Sequence, residues 1–433
     1  MGCTTPGYGD LSLPEIGWRG VLGRNHGFPQ EMPDFVESVE HDTQPLVTGA
    51  DARIVMEVIC AAYGSAGTGR RRAGEEGDTT GIPISVRTED NRAYLEGLKP
   101  LDWGTGEMCE FASALTRTLS CVGETVPYHY VMGVTGVAFR FTIGRELWNP
   151  GFYGFELVSA DVHDLMRRAF AAVGYEYHWY PRGDRAADLQ RITDSIDRGI
   201  AVMLRGHVVD ASDWALIAGY EGSGDVLLGS SPYGGGNRFR GYDVIPEWHA
   251  STREYIILGA KCGRPPAATV YTEALRLAVG LVRSPQVADR YTGLRAYEAL
   301  ASALRDEDFP ESAERKEDEF GFRYLCLLCY NMMLDDHRSA APFLRDAAEA
   351  LPECSTELLH AADRYERSCE LRDQLDSIMK GDFSPDAQRQ LLDPDVRHRY
   401  ARTILQIRDS DAQGISHIEQ ALAEVSSLPD APS

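Results

Sequence analysis

Cys109 is the residue whose position in the sequence best suits it to chemistry, because a helix should begin there. Residues 104–109 read Gly-Thr-Gly-Glu-Met-Cys, and apolar side chains then recur at helical spacing as far as Val122. A thiol at a helix N-terminus lies near the positive end of the helix dipole, which favours the thiolate, and backbone N–H groups there can hold an oxyanion. The position predicts either a nucleophile for acyl transfer or a buried structural cysteine.

Three residues are candidate partners for this thiol, namely His207, His129 and Asp213. Asp213 directly precedes an apolar run, and His207 lies six residues before it. An aspartate is not a neutral base near pH 7, and a nearby carboxylate would raise the pKa of the thiol. If Cys109 is a nucleophile, we therefore expect one of the two histidines to act as its base.

The elements that must position these residues fall into three blocks. Residues 1–85 form an N-terminal appendage with helical segments, and residues 95–262 form an α+β domain. Residues 266–425 read as a helical bundle without strands, followed by a frayed tail at 426–433.

Local signals place the elements of the middle block. Helices are predicted over 107–122, over 159–173 with a serine cap and a stop at Gly174, and over 187–198 with a stop at Gly199. Segments 131–141 and 143–147 are predicted as strand or turn. Strands are predicted over 200–205, 214–220, 225–229 and 254–259.

Composition limits the class of protein. The 433 residues are 43% hydrophobic and 25% charged, as in an ordinary globular protein of two or three domains. A net charge of −23 disfavours nucleic acid and anionic membranes as partners. No membrane-spanning stretch or export signal is apparent, so we expect a cytoplasmic protein whose nine cysteines are reduced.

A metal or nucleotide cofactor is not expected from the motifs. Cys326 and Cys329 form a CxxC within an apolar helix, and no second such pair or nearby histidine pair completes a zinc site. Core packing is therefore the favoured interpretation. Gly67 and Gly69 lack the strand and helix that flank a dinucleotide-binding loop.

The middle block resembles the C39-like papain-fold family, which includes the cysteine-protease-like acyltransferase of butirosin biosynthesis. The resemblance covers about 100–400 and is carried by MCEFASAL (108–115), PYHYVMGVTGVAFR (127–140), WNP (148–150) and WALIAGYEG (214–222). It implies a papain-like fold with an appended helical domain, Cys109 as nucleophile, and acyl transfer from a carrier-bound thioester. Residues expected to contact the substrate are Trp103, Glu107, Tyr130, Arg140, Trp148, Trp214 and Tyr233.

The sequence departs from this family's catalytic pattern at two positions. Asp213 stands where the family has its base histidine, and Ser230-Ser-Pro stands where an Asp-Pro is usual. The standard dyad is therefore not intact.

Residues 29–85 resemble the C-terminal tail of Gfo/Idh/MocA-type dehydrogenases. The resemblance is carried by PQEMPDFVESV (29–39), PLVTG (45–49) and ARIVMEVICAAYGSA (52–66). The nucleotide-binding half of that family is not in this sequence, so no NAD-binding role is carried over. The fragment points only by analogy to a sugar, cyclitol or aminoglycoside-like substrate.

These observations predict an acyl- or amide-transferring enzyme of specialised metabolism that uses Cys109 on a small activated acyl substrate. Two alternatives stay open. The first is a non-catalytic binding protein that keeps the cleft, and the second is lyase, cyclase or isomerase chemistry in the same cleft. The expected partners are a small molecule, an acyl carrier and a second copy of the chain.

Overall fold

The computed structural model describes residues 83–102, 105–145, 147–148, 159, 161–206, 213–232, 238–287, 290–306, 317–379 and 388–427. The chain divides into two compact units, Met1–Pro83 and Ile84–Ser433. All described residues except Pro83 belong to the second unit. The predicted appendage and its dehydrogenase-like segment lie outside the described residues, apart from their last three positions.

A nine-stranded sheet is the largest β-structure among the described residues. Its strands, in chain order, are β1 (Ser85–Glu89), β2 (Arg92–Glu96), β4 (Tyr175–Pro181), β5 (Val202–Arg205), β6 (Trp214–Glu221), β7 (Val226–Ser230), β8 (Arg238–Phe239), β9 (Tyr242–Pro246) and β10 (Glu254–Lys261). Their order is β4-β10-β5-β6-β7-β9-β8, and the β1–β2 hairpin joins through β2 to β6. All of these pairings are antiparallel.

The central strands are apolar in nearly every position because both faces of the sheet are covered. On β6, Trp214 and Leu216 belong to the same core cluster as helix α1 (Glu110–Ser120) and helix α3 (Val162–Val173). The alternate residue Ile217 packs on the opposite face with Ile192 of helix α4 (Arg185–Asp197) and with Trp248 of the short helix α5 (Trp248–Ser251). The strand therefore lies between two helical layers.

The predicted helices of this block are present with shifted ends. Helix α3 begins after Asp161, whose carboxylate accepts the N–H of His163 at 3.0 Å. The predicted cap, Ser159, instead accepts the N–H of Asp161, because its hydroxyl lies before the first turn. Gly174 ends the helix in the left-handed conformation at φ 77°, as predicted.

Segment 131–141 is largely helical, so the strand-or-turn prediction was wrong there. Helix α2 (Tyr128–Val134) is followed by a 3₁₀ turn (Val137–Phe139), and only β3 (Thr142–Gly144) is a strand. A Cβ at Gly133 would lie 2.1 Å from the ring of Phe343, so α2 is held against a helix of the third block. This contact overrides the strand preference of the valines.

The third block is helical but also contains two short strands, contrary to the prediction. Its helices are α6 (Ala267–Arg283), α7 (Gly293–Asp306), α8 (Glu317–Asp335), α9 (Ala340–Ala350), α10 (Ser355–Ile378) and α11 (Pro394–Ser427), with a 3₁₀ turn (Asp336–Ser339) after α8. Strand β12 (Arg290–Thr292) pairs with β11 (Gln286–Val287) and with β3. Strands of two or three residues are too short to leave an alternating pattern.

The middle and third blocks share one hydrophobic core. Phe139, from the middle block, packs its ring against Phe343 of α9 at 6.0 Å and against Tyr365 of α10 at 5.2 Å. Cys326 of the CxxC is fully buried in the helical region. The described part of the chain is thus a mixed α and β unit with a C-terminal helical region. No helix in this part is both long enough and apolar enough to cross a membrane.

Candidate functional site

Cys109 is the N-cap residue of α1, so the helix begins where the sequence predicts it. Its backbone is extended, with φ −82° and ψ 106°. Its N–H donates to the hydroxyl of Tyr128 at 2.8 Å, and its carbonyl accepts the N–H of Ser113 at 3.0 Å. The residue is only 3% exposed. The backbone is therefore at a helix start, while the side chain is enclosed by protein.

The pKa of the Cys109 thiol is raised to about 12. Burial is the main cause, and the carboxylate of Asp336 adds to it. The N–H of Ala112 and the charge of Arg140 act in the opposite direction and are outweighed. The expected lowering of the thiol pKa by the helix terminus is therefore wrong, because loss of hydration disfavours the thiolate more strongly than the terminus stabilises it.

Arg140, an expected substrate contact, is instead buried in an ion pair. Its Nη2 lies 3.0 Å from Oδ2 of Asp336, and both side chains are 0% exposed. The carbonyl of Arg140 accepts a hydrogen bond from Nε2 of His337 at 2.9 Å. A guanidinium enclosed in this way balances a buried carboxylate and does not reach solvent. The sequence could not show this, because Asp336 comes from the third block.

The first turn of α1 is tied to the start of β6. The carboxylate of Glu110 accepts the backbone N–H of Trp214 at 2.7 Å. Asp213, beside it, is 3% exposed, its carbonyl accepts the N–H of Gly206 at 2.9 Å, and its carboxylate accepts the hydroxyl of Ser231 at 3.4 Å. The chain thus brings Asp213 and the serine-containing turn together next to α1.

Trp214, another expected substrate contact, is a core residue. It is 1% exposed, and its ring meets that of Phe111 edge-on at 5.6 Å. The guanidinium of Arg205 lies 6.0 Å from the same ring. Spacing alone does not show that both faces of β6 are covered, which is why Trp214 was expected to contact substrate.

The remaining candidates lie in several places. His129 pairs through Nε2 with Asp346 of α9 at 2.8 Å. Tyr130 donates its hydroxyl to the carbonyl of Ala172 at 3.2 Å, and Trp148 has the guanidinium of Arg323 5.1 Å from its ring. Trp103, His207 and Tyr233 lie outside the described residues.

A pocket of about 190 Å³ lies at the junction of the two blocks. Its walls come from the segment before α1, the start of α2 and the 3₁₀ turn after α8, and they include Thr105, Glu107, Tyr128, His129, Asp336 and Arg338. Tyr128 and Asp336 also act on Cys109, through a hydrogen bond and through charge respectively. The thiol therefore lies behind the wall of the pocket.

Several residues that line the pocket are charged, and these groups have partners. Glu107 pairs with Arg117 at 2.6 Å. Arg338 donates to Asp335 at 3.0 Å, and Asp335 also receives Arg372 at 2.7 Å. Burial raises the pKa of Asp335, although both arginines oppose the rise. These ion pairs fix the walls of the pocket, which also include the hydroxyl-bearing residues Thr105, Tyr128 and Ser339.

The sequence analysis missed Tyr128 and the whole segment from Asp335 to Ser339. The run Asp335-Asp-His-Arg338 between two helical stretches is a signal that could have been followed, because charged residues at a helix end often carry function. Its contact with the segment before α1 joins positions far apart in the chain, which spacing cannot reveal.

No protein-family model matches the chain, and no curated protein matches it. The function can therefore be inferred only from the geometry of the site.

Proposed function

We propose that this chain is a papain-like protein that binds a small polar molecule in the pocket beside α1, with Cys109 as a buried structural thiol. One observation carries the proposal. A thiol that is 3% exposed, with its pKa raised to about 12, is almost wholly protonated at pH 7 and is enclosed by protein. Such a thiol contributes to core packing and is a poor nucleophile.

The arrangement around α1 supports a papain-like interpretation. A cysteine caps a helix whose first turn is tied to the start of β6 through Glu110. Asp213 and Ser231 stand where the resemblance calls for a base and its orienting partner, and their side chains are hydrogen-bonded to each other. An aspartate and a serine supply no imidazole for proton transfer, so this pair favours a cleft without the standard dyad.

The pocket walls indicate the class of ligand. Glu107 and Asp335 line it together with Arg338, His129 and the hydroxyl-bearing Thr105, Tyr128 and Ser339, whereas the carboxylate of Asp336 is fully buried against Arg140. Its volume of about 190 Å³ lies below the ~300–1,000 Å³ of most drug-sized sites. The excess of acceptor oxygens suits a ligand that carries an amine and hydroxyl groups. We therefore propose a molecule of about the size of an amino sugar.

Calorimetric titration of the full chain with glucosamine and with glucose tests this proposal. Glucosamine differs from glucose in one amine, so the acidic walls should bind glucosamine more tightly. We expect an affinity about tenfold higher, which corresponds to one added charged contact of about 1.4 kcal/mol. Thr105→Trp should fill the pocket and abolish the difference. Thr269→Trp, a matched change at an exposed residue of α6, should leave it intact. Equal affinities, or binding that survives Thr105→Trp, would contradict the proposal.

Acyl transfer through Cys109 is a second candidate, favoured by its place at the start of α1 behind a pocket wall. The reaction would need the wall formed by Tyr128 to open, so that the thiol could attack a carrier thioester and release the carrier thiol. Incubation with an acetyl-pantetheine thioester tests this directly. Acetylation of Cys109, seen by peptide mass spectrometry and lost in Cys109→Ala, would favour transfer over simple binding.

A further inference from the structure

We propose that Glu357, His360 and His417 form a binding site for a divalent transition-metal ion, with zinc as the best-suited metal. The three side chains come from α10 and α11, and one ligand atom from each lies within 4.8 Å of the others. None of the three lines the pocket beside α1, so this proposal does not depend on the proposed function.

The helices hold the three ligands on one side of their junction. Glu357 and His360 are three residues apart on α10, which places both on the same face of that helix. His417 reaches this face from α11. Leu358 and Ile418, each next to a ligand in the chain, are fully buried. The core therefore fixes the backbone of the ligands, while their side chains reach the surface.

The ligand atoms lie near the spacing of a zinc site and would reach it through small side-chain rotations. Oε2 of Glu357 lies 2.6 Å from Nδ1 of His417, and Oε1 lies 3.9 Å from Nδ1 of His360. Zinc bonds of ~2.0–2.1 Å in a tetrahedral site put neighbouring ligand atoms about 3.3 Å apart, between these two values. The side chain of His360 is 53% exposed, so its ring can rotate into place without disturbing the core.

The donor set selects the class of metal. Two imidazoles with one carboxylate are the protein ligands of several zinc enzymes and of non-haem iron(II) sites. Three protein ligands leave at least one position for water. Magnesium and calcium prefer all-oxygen ligands, so this set favours zinc and its neighbours among the first-row metals.

An ion pair between His417 and Glu357 accounts for only part of this cluster. It leaves unexplained why the ring of His360 lies 5.2 Å from the ring of His417. A bound dication would use all three side chains.

The surroundings are acidic, which favours a cation. Glu357 lies in the first turn of α10, where its carboxylate is stabilised by the helix N-terminus. One turn before it, burial and then the charges of Glu353 and Glu424 raise the pKa of Cys354 to about 11. These two carboxylates add negative charge near the proposed site.

Titration of the EDTA-treated and dialysed full chain with zinc chloride at pH 7.5 tests the site. Calorimetry should show one tight equivalent that is weakened on the order of 100-fold or more in His360→Gln, because a direct ligand matters at least as much as its supporting contacts. His398→Gln, at an exposed histidine of the same α11, should bind zinc like the wild type. Zinc should raise the melting temperature of the wild type and of His398→Gln but not of His360→Gln.

His360→Gln decides the question, because its exposed position lets the variant fold whether or not metal binds. Zinc stoichiometry and affinity equal to those of the wild type in this variant would overturn the proposal. An equal loss of zinc affinity in His398→Gln would also overturn the proposal, because zinc binding would then not be specific to this cluster. Zinc should also dissociate as the pH falls from 7.5 to 5.5, since protons compete for the imidazoles. Thr105→Trp should retain the zinc site, which separates this test from the test of the pocket.

Discussion

Arg140 and Asp336 form an ion pair that joins the α+β block to the helical region, with 3.0 Å between Nη2 and Oδ2 and no solvent exposure of either side chain. Asp336 also lines the pocket and acts on the thiol of Cys109. One buried carboxylate therefore connects the junction of the blocks, the shape of the pocket and the reactivity of the thiol.

Removal of Asp336 should destabilise the protein strongly. Asp336→Ala leaves the guanidinium of Arg140 buried without its carboxylate, and the free energy of unfolding should fall by about 3–5 kcal/mol. Urea denaturation followed by circular dichroism measures this change. Glu96→Ala, which breaks the exposed pair between Glu96 and Arg87, should have a far smaller effect.

A double variant separates the effect of the buried charges on stability from the effect of side-chain packing. Arg140→Met with Asp336→Leu removes both charges and keeps most of the volume, so it should recover much of the stability lost in Asp336→Ala. If Asp336→Ala is tolerated as well as Glu96→Ala, the buried pair does not hold the two blocks together.

Local signals in the sequence were enough to predict several elements of the fold. Cys109 precedes α1 and Gly174 ends α3, since helix ends are set by capping residues and by glycine within one turn. The strand at 214–220 was also found, as Trp214–Glu221, because its apolar run is too dense for an exposed segment. These features depend on neighbours in the chain.

Features that depend on distant residues were not predictable. The valines of 131–141 favour a strand, but contact with Phe343 makes much of the segment helical. Cys109 was identified as a helix start, whereas its high pKa comes from its burial and from the carboxylate of Asp336, which the third block supplies. Spacing shows which residues share a helix face, but it does not show what another block places against that face.

Cys109 should react slowly with iodoacetamide at pH 7. A pKa of about 12 leaves roughly one thiolate in 100,000 at this pH, and the side chain is enclosed. Cys262 is exposed and should be alkylated well before Cys109 in the native protein. Peptide mass spectrometry over time, without and with urea, measures both rates. Labelling of Cys109 ahead of Cys262 would argue against the structural role and for acyl transfer.

Cys109→Ala should lower the stability of the protein, because the side chain it removes is buried. A loss of about 1–2 kcal/mol in the free energy of unfolding is expected from the lost packing. Urea denaturation of the variant and the wild type measures it. Ligand binding in the pocket should persist, since the thiol lies behind the wall. An unchanged unfolding curve would show that Cys109 is not tightly packed.

Asp188 should contribute stability at neutral pH that is lost in acid. Burial opposes its ionisation, but hydrogen bonds from the N–H of Gly183, from Tyr255 and from His249 outweigh burial and hold its pKa below the ordinary 3.8. A lowered pKa in the folded state stabilises the protein above pH 3.8, and this contribution disappears as the pH falls through the folded pKa. Asp188→Asn should therefore cost about 2 kcal/mol at pH 7.

Urea denaturation at pH 7, 4.5 and 3.5 checks the sign. The difference in the free energy of unfolding between the wild type and Asp188→Asn should be largest at pH 7 and pH 4.5. It should be smaller at pH 3.5. Glu176→Gln, at an exposed carboxylate on β4, should leave the profile unchanged. A difference that grows in acid would mean that the contacts of Asp188 do not favour its ionised form.

Gly133 should tolerate alanine poorly, because it lies against a ring of the third block. An alanine Cβ at this position would lie 2.1 Å from the ring of Phe343, so α2 and α9 would have to separate or the ring would have to move within a packed core. Gly133→Ala should lower the free energy of unfolding by about 1–3 kcal/mol, the usual range for overpacking. Gly280→Ala is a matched control, because its Cβ meets nothing within 4 Å in α6 and alanine favours a helix.

Urea denaturation should show a lower free energy of unfolding for Gly133→Ala than for the wild type. For Gly280→Ala the free energy of unfolding should be unchanged or higher by about 0.5–1 kcal/mol. Phe343→Leu should relieve part of the clash, so the double variant Gly133→Ala with Phe343→Leu should lose less than the sum of the two single changes. Additive losses would show that Gly133 and Phe343 do not share one packing contact. The close approach of α2 to α9 would then not be what makes segment 131–141 helical.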